Sequence, residues 1–265
     1  MAASNVLILR APGTNCDEET AYAFERAGGV CARVHIRALC DAPNLLGAHA
    51  ILAFPGGFSY GDDLGSGTVL GNELMQRLNE PLLRFVERGG LVLGICNGFQ
   101  ILVKTGLLPG LSYVSKSNGS GGATLTFNDS QRFEDRWVHL KIEPGNSPFL
   151  EGAAGRVITL PVAHGEGKLV ARDADTLRLL ETRQQVAFRY VEQNGEKPEY
   201  PANPNGAQND IAGLIDESGR VLGLMPHPER HVLPWQHPRW TRQGLQKDGE
   251  GSFLFANAVK HAKRL

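Results

Sequence analysis

The length, composition and charge of this chain set the first limits on its fold and function. It has 265 residues, of which 42% are hydrophobic, and its formal net charge at pH 7 is −1. Such a length suits one large α/β domain, and the near-neutral charge excludes the bulk positive field of a nucleic-acid-binding protein. No apolar run approaches the roughly 18 residues of a membrane-spanning helix, and the run at residues 6–9 is too short for a signal peptide. We therefore predict a cytoplasmic protein with no nucleic-acid or membrane partner.

The first half of the sequence alternates strand and helix patterns. Short, continuous apolar runs predict buried strands at residues 6–9, 31–36, 50–54 and 91–95. Periodic segments bounded by glycine or proline predict helices at residues 17–27, 69–78 and 81–89. This alternation indicates an α/β fold with a mostly parallel central sheet and helices on both faces. Ligands bind such sheets at the carboxyl ends of the strands, where the turn at 55–57 and Cys96 lie.

The second half has a different pattern, which predicts antiparallel strands at one edge of the sheet. Strand candidates separated by Gly, Pro, Asn and Asp lie at residues 123–127, 137–142, 156–161, 176–181 and 186–190. A long polar loop at 193–210, a buried strand at 221–225 and a helix at 252–264 follow. We predict a single domain over residues 1–265, with an antiparallel extension in its second half.

The cysteines of this chain do not form the pattern of a disulfide framework. There are 4 of them, and no export signal precedes them. We expect Cys16, Cys31 and Cys40 to stay reduced as small, buried or partly buried side chains. The sequence has no Cys-x-x-Cys pair, so we predict no structural zinc site and no other metal.

Cys96 has a context that predicts a catalytic nucleophile. The segment 94–100, Gly-Ile-Cys-Asn-Gly-Phe-Gln, joins an apolar strand to an apolar helix. This is the arrangement of a nucleophile elbow, with cysteine in place of serine. The flanking glycines permit the sharp turn, and the positive end of the following helix favours a thiolate.

His227 is the predicted general base, and Glu229 is predicted to orient it. Prolines on both sides of His227 favour an extended backbone, and residues i and i+2 of an extended segment face the same way. A carboxylate beside the ring can fix its tautomer, as in catalytic triads. His164 and Glu166 repeat the same spacing, but the neighbouring glycines make this segment flexible, so we favour His227. We expect His164 to be a surface or loop residue, or alternatively to line the mouth of the pocket.

The loop at residues 55–63 is the second predicted functional segment. The backbone N–H groups of Gly57 and Asn97 are candidates for an oxyanion hole. The loop lacks the Gly-x-x-x-x-Gly-Lys-Ser/Thr pattern, and Asp62 and Asp63 would repel a phosphate. These carboxylates suit a cationic group, such as an amino-acid ammonium, or a solvated acidic loop.

Together these motifs resemble the class I (triad) glutamine amidotransferases, which have a flavodoxin-like fold. Within that class they are similar to the glutaminase subunits of phosphoribosylformylglycinamidine synthases. The resemblance covers residues 6–230 and is carried by the segments 55–62, 94–100, 161–167, 204–206 and 226–230.

The resemblance implies a reaction and a set of partners. Cys96, His227 and Glu229 would release ammonia from glutamine, Gln100 and Gly56 would bind the substrate, and no cofactor would bind this chain. Ammonia would pass to a large synthetase subunit that uses ATP and Mg to convert formylglycinamide ribonucleotide (FGAR) to formylglycinamidine ribonucleotide (FGAM) in purine biosynthesis. A small bridging subunit often joins the two. The alternatives are an amidotransferase for another ammonia acceptor and a redox or chaperone protein with a cysteine elbow.

Residues 231–251 depart from the pattern of the stand-alone subunit. This polar segment is predicted to be a C-terminal insert before the last helix, and it contains Trp235 and Trp240. The two tryptophans either pack on the chain's own surface or form a docking face for a partner.

Overall fold

The predicted alternation of strands and helices in the first half is confirmed by the computed structural model, which describes residues 4–110 and 121–264. The strands of this half are β1 (Ser4–Arg10), β2 (Gly29–His35), β3 (Ile51–Phe54) and β4 (Leu91–Ile95). Its helices are α1 (Asp17–Arg26), α2 (Ile36–Asp41), α3 (Thr68–Arg77), α4 (Asn79–Glu87) and α5 (Asn97–Lys104). The four strands pair in parallel, because each helix returns the chain to the start of the next strand. Short α2 was not predicted.

The second half adds antiparallel strands to one edge of this sheet, as predicted. The described strands of this half are β5 (Ala123–Thr126), β6 (Glu134–Ile142), β7 (Val157–His164), β8 (Lys168–Ala171), β9 (Val186–Val191), β10 (Ile211–Ile215) and β11 (Val221–Leu224). Its helices are α6 (Ala174–Thr182), α7 (Trp240–Gln243) and α8 (Ser252–Ala262). The large sheet has the order β2-β1-β3-β4-β11-β10-β9-β6-β7, and β5 pairs with β8 in a separate ribbon.

The strand predicted at residues 176–181 is wrong, because this segment lies within helix α6. The side chain of Asp173 accepts a hydrogen bond from the backbone N–H of Thr176 and so caps the helix. Thr176 and Leu180 are both buried and lie one helical turn apart. The i, i+4 spacing of these two residues was the available helix signal. Strands β8 and β10 were not predicted.

The order of the strands brings the loops that follow β3, β4 and β11, which carry the predicted functional residues, to one edge of the sheet. β11 lies beside β4 in parallel, and Leu224 is opposite Ile95 in the register. β3 lies on the other side of β4, with Phe54 opposite Gly94. The chain therefore leaves all three strands at the same edge of the sheet, although β4 and β11 are far apart in the sequence.

The segment 231–251 is anchored to the body of the protein near its end. The Asp248 carboxylate accepts a hydrogen bond from Arg26 at 2.8 Å, and the Glu250 carboxylate accepts one from the backbone N–H of Thr159 at 2.6 Å. Trp235 and Trp240 remain 55% and 40% exposed. A docking role for this segment stays a prediction. In the part of the chain that the structure describes, no helix has the length and apolar character needed to cross a bilayer.

Candidate active site

Cys96 lies on a strained turn between β4 and α5. Its backbone angles are φ 52° and ψ −106°, a conformation that non-glycine residues adopt only where the surrounding structure enforces it. A Cβ at Gly98 would lie 1.9 Å from the carbonyl oxygen of Phe54. Glycine at position 98 therefore lets the start of α5 pack against the end of β3. The predicted elbow is confirmed, and the N-terminus of α5 points its positive dipole end towards the cysteine.

His227 forms a buried pair with Glu229. The Nδ1 atom of His227 lies 2.6 Å from Oε1 of Glu229, and the two side chains are 2% and 0% exposed. The backbone N–H of His227 donates to the carbonyl of Pro161 at 2.8 Å, which fixes the histidine against β7. Burial alone would lower the pKa of His227, but the Glu229 carboxylate, with the Cys96 and Cys16 thiols, raises it well above its ordinary value.

Cys96 and His227 face each other across the junction of β4 and β11. The backbone N–H of Cys96 donates to the carbonyl of Leu224 at 2.8 Å, so the elbow continues the pairing of these two strands. The Nε2 atom of His227 is buried and has no hydrogen-bond partner among the described residues. Since Nδ1 is held by Glu229, Nε2 is the atom available to accept the thiol proton. The structure thus brings the three predicted catalytic residues together.

Gly56 gives the histidine and the cysteine the room they need. A Cβ at this position would lie 2.8 Å from Cε1 of His227 and 3.5 Å from Cβ of Cys96. The first distance is shorter than any ordinary contact, so a side chain would displace the imidazole. The next residue, Gly57, has φ +148° and a backbone packed against Gly13. Gly56, predicted to bind substrate, therefore also shapes the catalytic pair.

The Asn97 side chain ties the elbow to its two neighbouring loops. Its Oδ1 accepts a hydrogen bond from the N–H of Ser59 at 3.2 Å, and its Nδ2 donates to Oε1 of Gln100 at 3.0 Å. The Gln100 amide in turn donates to the carbonyl of Glu166 at 2.6 Å. Asn97 begins α5, so its backbone N–H has no acceptor within that helix. Its role with Gly57 in an oxyanion hole, and substrate binding by Gln100, stay predictions.

His164 is not the surface residue that the sequence suggested. It is the last residue of β7, only 2% exposed, and its Nδ1–H donates to Oδ1 of Asn128 at 3.1 Å. Burial, with a smaller effect from the nearby His227, lowers its pKa to about 4. The Glu166 carboxylate accepts a hydrogen bond from the N–H of Ser66 at 3.3 Å instead of orienting the ring. His164 therefore stays neutral and has no carboxylate partner of its own among the described residues.

Cys16 is a residue of this site that sequence reasoning missed. It precedes α1, is 1% exposed, and its thiol contacts the His227 ring. Arg230 Nη2 lies 3.1 Å from Cys16 Sγ. Burial raises the pKa of this thiol to about 11, despite the opposing effects of His227 and Arg230. Only its position at a helix start hinted at a role, because the contact depends on residues more than 200 positions away in the sequence.

Comparison with known proteins gives a consistent result. A model of the CobB/CobQ-like glutamine amidotransferase domain matches residues 3–262. The phosphoribosylformylglycinamidine synthase subunit PurQ of Dehalococcoides mccartyi is 49% identical, and the alignment covers 100% of both chains. The PurQ subunit of Methanococcus maripaludis is 41% identical over 97% of this chain and 96% of its own.

The same relationship is visible in three dimensions. A chain in the structure of PurLQS from Thermotoga maritima has a TM-score of 0.72 to this one, with 30% identity and 98% of each chain covered. The mostly parallel sheet with its antiparallel edge is therefore shared with a relative of recognisable sequence. Matched along almost its whole length by the domain family and by these relatives, the chain belongs to the CobB/CobQ-like glutamine amidotransferases.

Proposed function

We propose that this chain is the glutaminase subunit of a phosphoribosylformylglycinamidine synthase. The observation that carries this proposal is the strained Cys96 elbow facing the buried His227–Glu229 pair. The names of the relatives that match it over full length support the same enzyme. The substrate of this chain is glutamine, and its products are glutamate and ammonia.

The first half of the reaction forms a thioester. His227 Nε2 takes the proton of the Cys96 thiol, and the sulfur attacks the side-chain amide carbon of glutamine. The oxygen of the tetrahedral intermediate carries a negative charge, which the N–H groups of Gly57 and Asn97 stabilise. The carbon–nitrogen bond then breaks, His227 returns its proton to the nitrogen, and ammonia leaves. Glu229 holds the ring and stabilises its charged form throughout.

The second half regenerates the cysteine. Water loses a proton to His227 and attacks the γ-glutamyl thioester carbon. The carbon–sulfur bond breaks, glutamate is released, and the proton on His227 restores the thiol. Gln100, held between Asn97 and the carbonyl of Glu166, lies beside the elbow and helps position the amino acid.

Ammonia is consumed by a partner. We place this chain with a large synthetase subunit that uses ATP and Mg to convert FGAR to FGAM, and with a small bridging subunit. The similar chain from Thermotoga maritima is part of a PurLQS structure, which supports such an assembly. That similarity also favours this acceptor over a different ammonia acceptor, the main alternative that the sequence left open.

Replacement of the nucleophile tests the proposal in the assembled complex. We expect Cys96→Ala to abolish glutamine-dependent FGAM formation and to leave formation from added ammonium unchanged, because the synthetase active site is intact. The measurement is the rate of FGAM formation with each nitrogen source. Cys40→Ala, which changes a thiol outside the site, is the matched control and should keep both rates. A Cys96→Ala complex that still uses glutamine would contradict the assignment of the nucleophile.

A further inference from the structure

We propose that Cys16, Glu19 and His227 form a binding site for a zinc-like divalent cation, whose occupancy withdraws His227 from Cys96. The inhibitory consequence rests on the proposed function, whereas the binding itself does not. No local motif indicates this site, because its members come from the two ends of the chain.

The proposal starts from the convergence of metal-ligand atoms. Among the described residues, one ligand atom each of Cys16, Glu19, His227 and Glu229 lies within 4.8 Å of all the others. Sulfur, imidazole nitrogen and carboxylate oxygen are the donors that zinc binds in proteins. Zinc–ligand bonds of about 2.0–2.3 Å place the donors of a tetrahedral site roughly 3.3–3.8 Å apart, so these side chains close in by up to about 1.5 Å when the metal binds.

Two buried atoms in this group lack partners. The Oε2 atom of Glu229 and the Nε2 atom of His227 make no hydrogen bond of normal geometry among the described residues, although the Cys16 and Cys96 thiols lie close enough to raise the pKa of His227. The two residues are only 1% and 2% exposed. Buried polar atoms without partners cost free energy, so their presence points to a proton, a substrate or a cation as the missing partner. For His227 the catalytic thiol proton is one such partner, and a metal ion is another.

Glu229 already orients His227 as metal-binding histidines are oriented. Its carboxylate lies 2.6 Å from Nδ1, and histidine ligands commonly donate their second ring N–H to a carboxylate in this way. The arrangement leaves Nε2 as the ligand atom. Glu229 is then the orienting partner, and Cys16 and Glu19 supply the other protein ligands.

The Cys16 and Glu19 side chains already bind a cationic group, the guanidinium of Arg230. Its guanidinium donates to Cys16 Sγ at 3.1 Å and to Glu19 Oε1 at 2.8 Å. The Arg230 side chain is 35% exposed, so it can move into solvent when a metal ion replaces it. The metal ion therefore replaces the guanidinium of Arg230, and the Glu19 carboxylate keeps a positive partner.

The donor set favours zinc over magnesium or calcium. A thiolate and an imidazole suit borderline-soft metals, whereas magnesium and calcium prefer oxygen ligands. Cys96 is not a member of the group. Its replacement should therefore leave the metal site intact, and binding can be measured in a protein that cannot turn over glutamine.

Co²⁺, a spectroscopic substitute for zinc, tests the site directly. In Cys96→Ala protein we expect a thiolate-to-cobalt charge-transfer band in the near ultraviolet. In Cys96→Ala/Cys16→Ser the band should vanish, and binding should weaken by at least the roughly 100-fold that substitutions around a metal can cost. Cys96→Ala/Cys40→Ser is the matched control and should keep the band. No band in Cys96→Ala, or an equal band without Cys16, would overturn the proposal.

A second variant covers the case in which Cys16→Ser fails to fold. Glu19 lies on the surface of α1 with its side chain 37% exposed, so Glu19→Gln should not disturb the fold. We expect it to weaken Co²⁺ binding by on the order of tenfold. Unchanged affinity in this variant would remove Glu19 from the site and overturn the proposed ligand set.

The link to catalysis is measured separately, in protein that retains Cys96. We expect zinc to inhibit its glutaminase activity, and we expect Cys16→Ser to relieve this inhibition.

Discussion

Two regions of this molecule carry the same short pattern, a histidine followed two residues later by a glutamate, with opposite results. His227 and Glu229 form a direct pair at 2.6 Å. His164 bonds to the neutral amide of Asn128 at 3.1 Å, and the carboxylate of Glu166 turns away to Ser66. Both histidines are buried to the same extent. The pKa of His227 is raised and that of His164 is lowered to about 4.

The partner at Nδ1, and not the extent of burial, decides whether a buried histidine can carry a proton in this protein. Desolvation disfavours the charged ring in both places. At His227 a carboxylate in direct contact, with smaller effects from the Cys96 and Cys16 thiols, overcomes this penalty. At His164 the glutamate is not in contact with the ring. His227 itself is extended, but Pro228 begins a short 3₁₀ helix, Pro228–His231, so the extended segment predicted for this pair ends at residue 227. This turn keeps the Glu229 carboxylate beside Nδ1 of the ring. At His164, the following glycines let the chain bend the carboxylate elsewhere.

The largest loss of activity should come from breaking the His227–Glu229 pair. We expect Glu229→Gln to lower the glutaminase kcat/KM by on the order of 10³–10⁴-fold, because the amide cannot stabilise a charged His227 or hold its tautomer. Glu166→Gln changes the corresponding residue of the other region. We expect a loss of less than about tenfold, since among the described residues its side chain accepts a single hydrogen bond, from Ser66. Steady-state glutaminase assays of the two variants within the complex measure the difference. Equal losses of kcat/KM in the two variants would contradict the conclusion that Glu229, and not Glu166, supports the catalytic histidine.

A smaller effect should follow from crowding the pair. Gly56→Ala introduces a methyl group 2.8 Å from His227 Cε1, and we expect roughly 100-fold lower kcat, since a shift of about 1 Å in a catalytic group can cost that much. Gly165→Ala is the control in the other region, because a Cβ there meets nothing within 4 Å. It should keep nearly full activity. Full activity of Gly56→Ala would show that His227 has more freedom than its contacts indicate.

The smallest effect concerns stability and pH. The folded-state pKa of His164 is about 4, below the ordinary value of 6.5, so the unfolded chain binds more protons between these two pH values. Stability should therefore fall as the pH drops from 6.5 towards 4, by up to roughly 3 kcal/mol from this residue. His164→Gln should show a shallower decline in its free energy of unfolding, measured by urea denaturation across this range. His227 contributes in the opposite direction, with stability lost as the pH rises through its raised pKa, and is common to both proteins. Parallel curves would contradict the assignment of a neutral, buried His164.

Much of the fold and the centre of the site were predictable because their signals are local. Adjacent glycines, a buried strand and an apolar helix mark the elbow around Cys96. The His227–Glu229 pair was predictable from its spacing of two residues, although the backbone that joins the two is the start of a 3₁₀ helix and not the predicted extended segment. The alternation of the first half specifies parallel strands, and Cys96 and His227 meet because β4 and β11 are neighbours.

What was missed depends on contacts between distant parts of the chain. Cys16 meets Arg230 and His227 only in the folded protein, and its position before α1 does not indicate which residues it contacts. A surface or loop position for His164 was predicted because its segment is flexible and lies in the irregular half of the sequence. The residue instead ends strand β7 and is buried. The helix at 174–182 was overlooked because its capping residue, Asp173, equally suits a turn between two strands.

The adjacency of β4 and β11 has a consequence for biosynthesis of the protein itself. Translation supplies the sulfur long before it supplies the imidazole, since β11 is the last strand of the described sheet to leave the ribosome. A polypeptide that ends before β11 holds the thiol of Cys96 without its base, because His227 follows that strand. The sulfur and the imidazole can therefore meet only after every strand of the described sheet has been synthesised.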